Sequence, residues 1–130
     1  MANKAVIIRT DETREVVEFT SKTSYDVIST AVGGRIECVN IFDKTADLWL
    51  NEEGKIEGLP QNPIGTSIWA DNYGLTDVIV GDIIITGGTD EEGETLGLTD
   101  SQVEFYLNFT GGISYMGDPS DFLGITVTGW

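Results

Sequence analysis

Apolar and polar residues alternate along the first forty positions in the order of a β-hairpin, a helix and a strand. The apolar run 5–8 and the alternating run 15–19 flank a Thr-Asp-Glu-Thr turn, which predicts two antiparallel strands. Residues 23–26 form a weak capping box, and the helix that it opens is expected to end at Gly33, since glycine tolerates left-handed backbone. Residues 35–41 then read as a third strand. This order predicts a β-grasp-like α+β layer, in which one helix covers one face of a sheet.

The middle of the chain is predicted to form a second hairpin, over residues 47–58, with Gly54 in its turn. A short helix is predicted at about 63–70. Asn62 suits its N-cap, a proline takes its first position, and two isoleucines four residues apart share one face. Both predictions rest on local patterns of turn and cap residues.

The most apolar stretch of the chain, residues 78–85, is interrupted only by Gly81-Asp82. It fits either two arms of a tight hairpin or one strand bent at a bulge, and both alternatives place it in the core. A glycine-rich acidic loop follows at 87–94.

Residues 100–110 fit both a strand and one face of a helix. The full capping box at 99–102 and the glycine pair at 111–112 favour the helix. A last strand is predicted near 122–130. The chain is therefore predicted to be a single α+β domain over 1–130, with a mixed or antiparallel sheet and two or three short helices.

The charge of the chain excludes several classes of function. Twenty-two Asp and Glu residues stand against seven Lys and Arg and no His, for a net charge of −15. Nucleic-acid binding and attraction to an anionic membrane both need clustered cations, so neither is expected. Without histidine, the usual zinc hydrolases and His-activated nucleophiles cannot be built.

The charge is also unevenly distributed. All seven cations lie in residues 1–55, whereas residues 56–130 contain twelve carboxylates and no cation. The carboxylates of the second half must therefore pair with the first half, stay in water or face a cationic partner.

The single cysteine, Cys38, alternates with Ile36 in a strand-like run and is expected to be buried and inert. One cysteine forms no internal disulfide, which suits a reducing compartment. The first residues resemble no export signal, and no stretch approaches 18 apolar residues. The expectation is a soluble, cytoplasmic protein that is not exported.

Six short segments follow one another in a fixed order: Val6–Thr10, Val32–Gly34, Leu48–Lys55, Leu59–Pro63, Val80–Asp82 and Gly97–Gln102. Together they resemble an uncharacterised family of small accessory proteins from actinobacterial bacteriophages, plasmids and their hosts. The resemblance covers about residues 5–110 and leaves 111–130 as an extension private to this chain. Gly65 departs from it, because alanine is expected at that position of the short helix.

The resemblance implies a phage-encoded accessory protein acting in a bacterial host, and it transfers no catalytic residue. It marks Trp49, Asn51, Asn62 and Asp82 as candidates for a shared site. Each also has a structural explanation, respectively as a packing residue, a turn residue, a helix cap and a strand turn.

The acidic loop fails the tests for a metal or phosphate site. A calcium loop that begins at Asp90 would need glycine at position 6 and glutamate at position 12, where Thr95 and Ser101 stand. The Gly87-Gly88 pair precedes no Gly-Lys-Ser/Thr, and nearby carboxylates would repel a nucleotide. No metal, cofactor or catalytic residue is therefore predicted.

The function predicted first is a non-enzymatic acidic protein that binds and modulates a host protein with a basic surface. The aromatic anchors of the interface would be Trp49, Trp69 and Trp130. The negative charges that attract the partner would be those of Asp90, Glu91, Glu92 and Glu94. One alternative is a DNA mimic that inhibits a nucleic-acid-binding host enzyme. Another is a small-molecule-binding domain that uses the Asn62 loop and the Gly81-Asp82 turn. Homo-oligomers remain open.

Overall fold

The computed structural model describes residues 2–110. They form a five-stranded antiparallel sheet with helices on both faces, which confirms the predicted α+β class. The elements in chain order are β1 (Asn3–Ile8), β2 (Arg14–Phe19), α1 (Ser24–Val32), β3 (Ile36–Ile41), β4 (Ala46–Asn51), α2 (Gly54–Glu57), α3 (Pro63–Tyr73), β5 (Ile83–Gly87) and α4 (Asp100–Asn108). Residues 2–110 contain four helices, where two or three were predicted.

The first three predicted elements are confirmed. β1 and β2 pair as a hairpin, and the Asp11 carboxylate stabilises its turn by accepting hydrogen bonds from the backbone N–H and hydroxyl of Thr13. α1 ends at Gly33, whose φ of 78° is left-handed and whose N–H donates to the Ser29 carbonyl. β3 follows directly.

The β-grasp-like arrangement is not confirmed. The strands lie in the order β2-β1-β5-β4-β3, and each neighbouring pair is antiparallel. β5 enters the middle of the sheet, between the β1–β2 and β3–β4 hairpins, with Ile84 opposite both Ile7 and Trp49. The two hairpins are therefore joined by a strand that arrives late in the chain.

The sheet separates two hydrophobic cores. On one face, α1 covers a core that includes Ile7, Phe19 and Ile84. On the other face, α3 and α4 cover a larger core that includes Leu48 and Ile85. Because side chains alternate along a strand, β5 contributes Ile84 to one core and its neighbours to the other.

The predicted hairpin over 47–58 is wrong. Residues 46–51 form β4, which is antiparallel to the preceding strand β3. Residues 54–57 form the one-turn helix α2. The chain does turn after β4, as predicted, but Gly54 begins a helical turn instead of the second arm of a hairpin. β4 pairs with β3 on one edge and with β5 on the other, so neither edge is left to pair with residues 54–58.

Residues 78–85 fit neither predicted alternative in full. Only Ile83 onward is strand, and residues 78–80 form a connection in which Val80 makes an isolated bridge to Gln61. Gly81, with a φ of 81°, turns the chain between the two parts. The apolar side chain of Ile79 is nonetheless buried in the core, as expected.

The predicted helices at 63–70 and 100–110 are confirmed. α3 begins at Pro63 and runs three residues beyond the predicted end, to Tyr73. At α4, the Thr99 hydroxyl accepts from the Gln102 N–H while the Gln102 side chain accepts from the Thr99 N–H, which completes the capping box. The strand predicted at 122–130 lies outside the described residues.

Candidate functional site

The residues singled out by sequence do not form one site. Trp69 and Asn51 line a cavity beside α3, whereas Asp82 lines a separate groove beside α1. Asn62 is buried, and Trp49 packs under α1. The acidic loop forms a further, exposed feature. Trp130 lies outside the described residues.

An apolar surface surrounds Trp69, and we call its five residues the Trp69 surface: Ile56, Trp69, Tyr73, Leu75 and Val78. Ile56, Trp69 and Val78 line a common cavity of about 130 Å³. The Tyr73 ring lies against the Trp69 ring, with centroids 4.7 Å apart. The Trp69 indole N–H donates to the Thr76 hydroxyl at 2.8 Å, which holds the ring in place beside the loop that contains Leu75.

Two residues of the Trp69 surface are strongly exposed. Ile56 is 88% exposed and Leu75 is 58% exposed. Ile56 stands on the one-turn helix α2, which is too short to bury its outer side, and Leu75 follows the end of α3 at Gly74. Ile56 therefore leaves an apolar side chain in water at the rim of the cavity that Trp69 lines.

The charges around the cavity are mostly negative. Three carboxylates, those of Glu37, Glu52 and Asp77, line it together with one cation, Lys55. Lys55 pairs with Asp77, and the more distant Arg35 pairs with Glu52. The available cations are thus engaged within the protein, and the rim keeps a negative potential.

The Asn51 side chain has a structural role at the edge of this cavity. Its amide donates to the Val32 carbonyl, and its oxygen accepts from the Glu53 N–H at 2.8 Å. Asn51 therefore ties the end of β4 to the end of α1 and shapes the turn into α2. Its hydrogen-bonding groups are used inside the fold.

Asn62 is fully buried and is likewise structural. Its oxygen accepts from the Gly65 N–H at 2.8 Å and caps α3, as predicted. Its amide donates to the carbonyls of Ile8 and Gly81, at 3.0 and 2.9 Å. One side chain thus joins β1, the turn before β5 and α3, and no polar atom of it is left for a ligand.

A groove of about 590 Å³ runs between α1 and the β1–β2 hairpin. A nine-residue helix about 10 Å wide covers less than half of a five-stranded sheet about 24 Å across. α1 packs mainly on β3, β4 and β5. On the β1–β2 side of this face Ala5, Ile7 and Phe19 are buried, whereas Val17 of β2 is only half-buried and lines the groove. Its apolar walls are Ile7 and Val17 from the sheet and Val27 and Ala31 from α1.

Four charged side chains stand at this groove: one cation, Arg9, and three carboxylates, those of Glu18, Asp26 and Asp82. Arg9 donates to the Glu15 carboxylate at 2.7 Å, and this hydrogen bond raises the pKa of Arg9, with a smaller contribution from the Asp82 charge. One oxygen of Asp82 accepts from the Thr10 N–H at 3.0 Å. The only cation of the groove is therefore already paired, while Asp26 and Asp82 form no ion pair within residues 2–110.

Trp49 belongs to a polar cluster on the α1 face of the sheet. Its indole N–H donates to the Thr86 hydroxyl at 2.9 Å. Next to it, the buried Asp47 carboxylate accepts from the Asn40 amide at 2.7 Å and the Thr89 hydroxyl at 2.8 Å. These contacts fix the ring of Trp49 within the fold, so it is not an exposed anchor.

The expectation that Cys38 is buried is wrong. It lies exposed on the edge strand β3, opposite Trp49 in the β3–β4 pair. Partial burial of the thiol and the nearby Asp47 carboxylate raise its pKa to about 12. The raised pKa favours the neutral thiol at neutral pH, chiefly because partial burial disfavours the charged thiolate.

The acidic loop is stabilised by its own backbone. The Asp90 carboxylate accepts from the N–H groups of Glu92 and Glu94, both at 2.9 Å, and Thr89 bridges to Thr95. Glu91, Glu92 and Glu94 are exposed. Across residues 2–110, no three His, Cys, Asp or Glu side chains are placed to hold a metal ion.

Sequence reasoning missed most of the Trp69 surface and the groove. Ile56 falls in the predicted second hairpin, where alternate residues are buried. Leu75 lies in no motif, and Arg9 lies in the resemblance segment Val6–Thr10 without being a candidate site residue. Both sites are gaps between elements distant in sequence, so only the tertiary arrangement reveals them.

Comparison with known proteins identifies one family. The model of a family described as a domain of unknown function (DUF3846) matches residues 3–110. The search of curated proteins and the search of solved structures gave no match. As for membranes, none of the helices within 2–110 has the length and apolar character needed to cross one.

Proposed function

From the premise that this chain belongs to the DUF3846 family, whose function is unknown, we propose that it is a non-enzymatic acidic protein that binds and modulates another protein. The partner carries a basic surface with an apolar residue at its centre. It meets this chain at the Trp69 surface.

The observation that carries the proposal is the exposure of Ile56 and Leu75 beside the paired rings of Trp69 and Tyr73. Burying one such aliphatic side chain stabilises a complex by about 1.5–3 kcal/mol. The two rings supply a rigid aromatic platform of the kind enriched at the centres of interfaces. These features together make a small anchor site.

The charges support a basic partner. Glu37, Glu52 and Asp77 stand around the anchor, and only two carboxylates among residues 56–110, Asp77 and Asp100, pair with cations of the first half. The remaining carboxylates accelerate the approach of a cationic surface and repel an anionic one.

A non-enzymatic role agrees with the chemistry of the candidate groups. The chain has no histidine, and the pKa of the Cys38 thiol is raised to about 12. Both make general-base catalysis and nucleophilic attack at neutral pH unfavourable.

A DNA mimic has less support, because a mimic aligns its carboxylates along one face. Here they are spread over α1 (Asp26), β3 (Glu37), α3 (Asp71), the 90–94 loop and α4 (Glu104). These elements lie on both sides of the sheet and at its edge. The resemblance to phage and plasmid accessory proteins leads us to propose a host protein as the partner and the host cytoplasm as the location.

The test is affinity capture of partners from an actinobacterial lysate with the full chain, followed by binding measurements on the captured protein. Ile56→Ser with Leu75→Ser is expected to weaken binding at least about tenfold, since it removes the apolar anchor. Raising the salt concentration slows association but preserves a partner held by apolar contacts.

Tyr25→Ser is the matched control, because Tyr25 is 62% exposed and lies on α1, away from the Trp69 surface. Equal binding by the control and the double variant would contradict the proposal. Recovery of DNA-binding proteins that dissociate steeply with salt would instead favour the mimic.

A further inference from the structure

The groove beside α1 combines apolar walls with negative charge. Ile7, Val17, Val27 and Ala31 form the walls, and the carboxylates of Glu18, Asp26 and Asp82 stand at the polar positions. Its volume of about 590 Å³ falls within the range of small-molecule sites, which are mostly apolar with a few oriented polar groups. It is separate from the Trp69 surface, which lies on the other side of the sheet at the β3 edge.

The charges at this groove select against an anionic ligand. Arg9, its only cation, is held by Glu15, so a carboxylate or phosphate ligand would have to displace that pair and also face Asp26 and Asp82. A cationic ligand would instead be attracted by the carboxylates of the groove. Asp82 uses one oxygen to accept from Thr10, and its second oxygen makes no hydrogen bond to any residue in the described range.

We propose that this groove binds a small organic amine in its ammonium form. The ammonium group pairs with the free oxygen of Asp82, with Asp26 adding attraction, while the apolar body of the amine covers Ile7, Val17 and the facing residues of α1. Asn62, which the sequence had linked to Asp82 in a ligand site, takes no part because its polar atoms are all used within the core.

The shape of the groove favours a free small molecule over a protein segment. It is bounded by Asp26–Ala31 of α1 on one side and by Ile7, Val17 and Glu18 of the β1–β2 hairpin on the other, and its volume is about 590 Å³. A groove of this volume accommodates one aromatic ring or short alkyl chain. The inference is independent of the proposed partner at the Trp69 surface.

The test is methyl NMR of the full-length protein titrated with three probes of similar size: 2-phenylethylammonium, 2-phenylethanol and 3-phenylpropionate. The ammonium probe is expected to shift the methyl signals of Ile7, Val17, Val27 and Ala31 saturably, and to bind at least about tenfold more tightly than the carboxylate probe. A peptide with one lysine between two leucines serves as the protein-segment probe.

Two variants locate the site. Asp82→Asn keeps an acceptor for the Thr10 N–H but removes the charge, so it is expected to abolish the preference for the ammonium probe. Ala31→Leu fills the groove and is expected to weaken all three probes equally. Glu91→Gln is the matched control, since it removes one charge from the distant acidic loop and leaves binding unchanged.

The proposal is overturned if the alcohol or the carboxylate binds as well as the ammonium probe, or if Asp82→Asn has no effect. It is also overturned if no saturable shift occurs up to roughly 10 mM, or if the lysine peptide alone occupies the groove. The Ile56→Ser, Leu75→Ser variant is expected to bind the amine normally, so failure at one surface is distinguishable from failure at the other.

Discussion

At the scale of single residues, the side chains of Asn51 and Asn62 stabilise the fold by hydrogen bonds between separate elements. Asn62 and Asn51 each join segments that are far apart in sequence, and both use a donor and an acceptor at once. In a buried site each hydrogen bond that is lost leaves a polar group unsatisfied, which makes such residues sensitive to substitution.

The capping and bridging roles of Asn62 can be separated. Asn62→Ala is expected to lower the free energy of unfolding by about 3 kcal/mol, since it removes a helix cap and leaves two buried carbonyls unpaired. Asn62→Asp keeps the cap but replaces the amide donor with a carboxylate that faces the Ile8 and Gly81 carbonyls.

Urea unfolding of both variants provides the measurement. If Asn62→Asp is as damaging as Asn62→Ala, the bridge to Ile8 and Gly81 is the dominant role. A nearly neutral Asn62→Asp would show that capping alone matters and would contradict the bridging role.

Cys38 gives a second prediction at this scale. With a pKa of about 12, its thiol is expected to react with iodoacetamide at pH 8 about a thousandfold more slowly than an unperturbed cysteine, because so little thiolate is present. Asp47→Asn removes one of the causes and is expected to accelerate the reaction. Alkylation is followed by mass spectrometry against the urea-unfolded chain, and equal rates in the folded and unfolded states would refute the raised pKa.

At the scale of elements, the close approach of α3 to the strand that follows it explains an unusual helix residue. Gly65 stands in the first turn of α3, and a Cβ added there would lie 3.0 Å from a methyl group of Ile83 and 3.1 Å from one of Ile79. The departure from alanine at this position therefore has a packing cause.

Gly65→Ala tests this explanation. In an open helix the change would stabilise by about 1 kcal/mol, but here we expect a loss of about 1–3 kcal/mol because the methyl groups of Ile79 and Ile83 must shift to admit the new one. Thermal unfolding of Gly65→Ala, Ile83→Val and the double variant forms a cycle. Since Ile83→Val removes the nearest methyl, the double variant is expected to lose less than the sum, and simple additivity would contradict the contact.

The turn between β3 and β4 shows a second element-scale feature. Phe42, Asp43 and Lys44 all have positive φ values, of 49°, 60° and 68°. This left-handed run is unfavourable for residues with a Cβ, but it directs the Phe42 ring onto Phe105 and Tyr106 of α4. Aromatic packing thus offsets backbone strain and joins the turn to the last described helix.

At the scale of the whole molecule, the net charge of −15 makes the folded state repel itself. Four of the seven cations are committed to ion pairs within the described part, and Arg14 donates to the carbonyls of Tyr106 and Leu107 near the end of α4. Each of these cations neutralises only its immediate partners, so most carboxylates of the described part form no ion pair there.

The melting temperature is therefore expected to rise when sodium chloride is increased from about 0.02 M to about 0.5 M, because salt screens the repulsion between carboxylates. The triple variant Glu91→Gln, Glu92→Gln, Glu94→Gln removes three negative charges from the acidic loop. It is expected to melt higher at low salt and to respond less to added salt. A melting temperature that is independent of salt would contradict this picture.

Sequence patterns were most informative where an element is stabilised by residues next to it in the chain. The β1–β2 hairpin, the end of α1 at Gly33, the Asn62 cap and the Thr99–Gln102 capping box all depend on contacts within a few residues, so their signals could be recognised. The predictions for 47–58 and 78–85 were wrong or incomplete because distant partners decide those segments. β4 pairs with β3 and β5 and not with residues 54–58. Val80 makes an isolated bridge to Gln61 and does not belong to β5.

The amino-acid sequence by itself determined the α+β class, the positions of three helices, the exclusion of His-based chemistry and the one-sided distribution of cations. Tertiary structure alone decided the insertion of β5 between two hairpins, the exposure of Ile56 and the groove beside α1. The physical reason is that local order follows from turns, caps and periodicity, whereas sites arise where one element fails to cover another. That failure depends on the relative size and placement of α1 and the sheet, which no local pattern encodes.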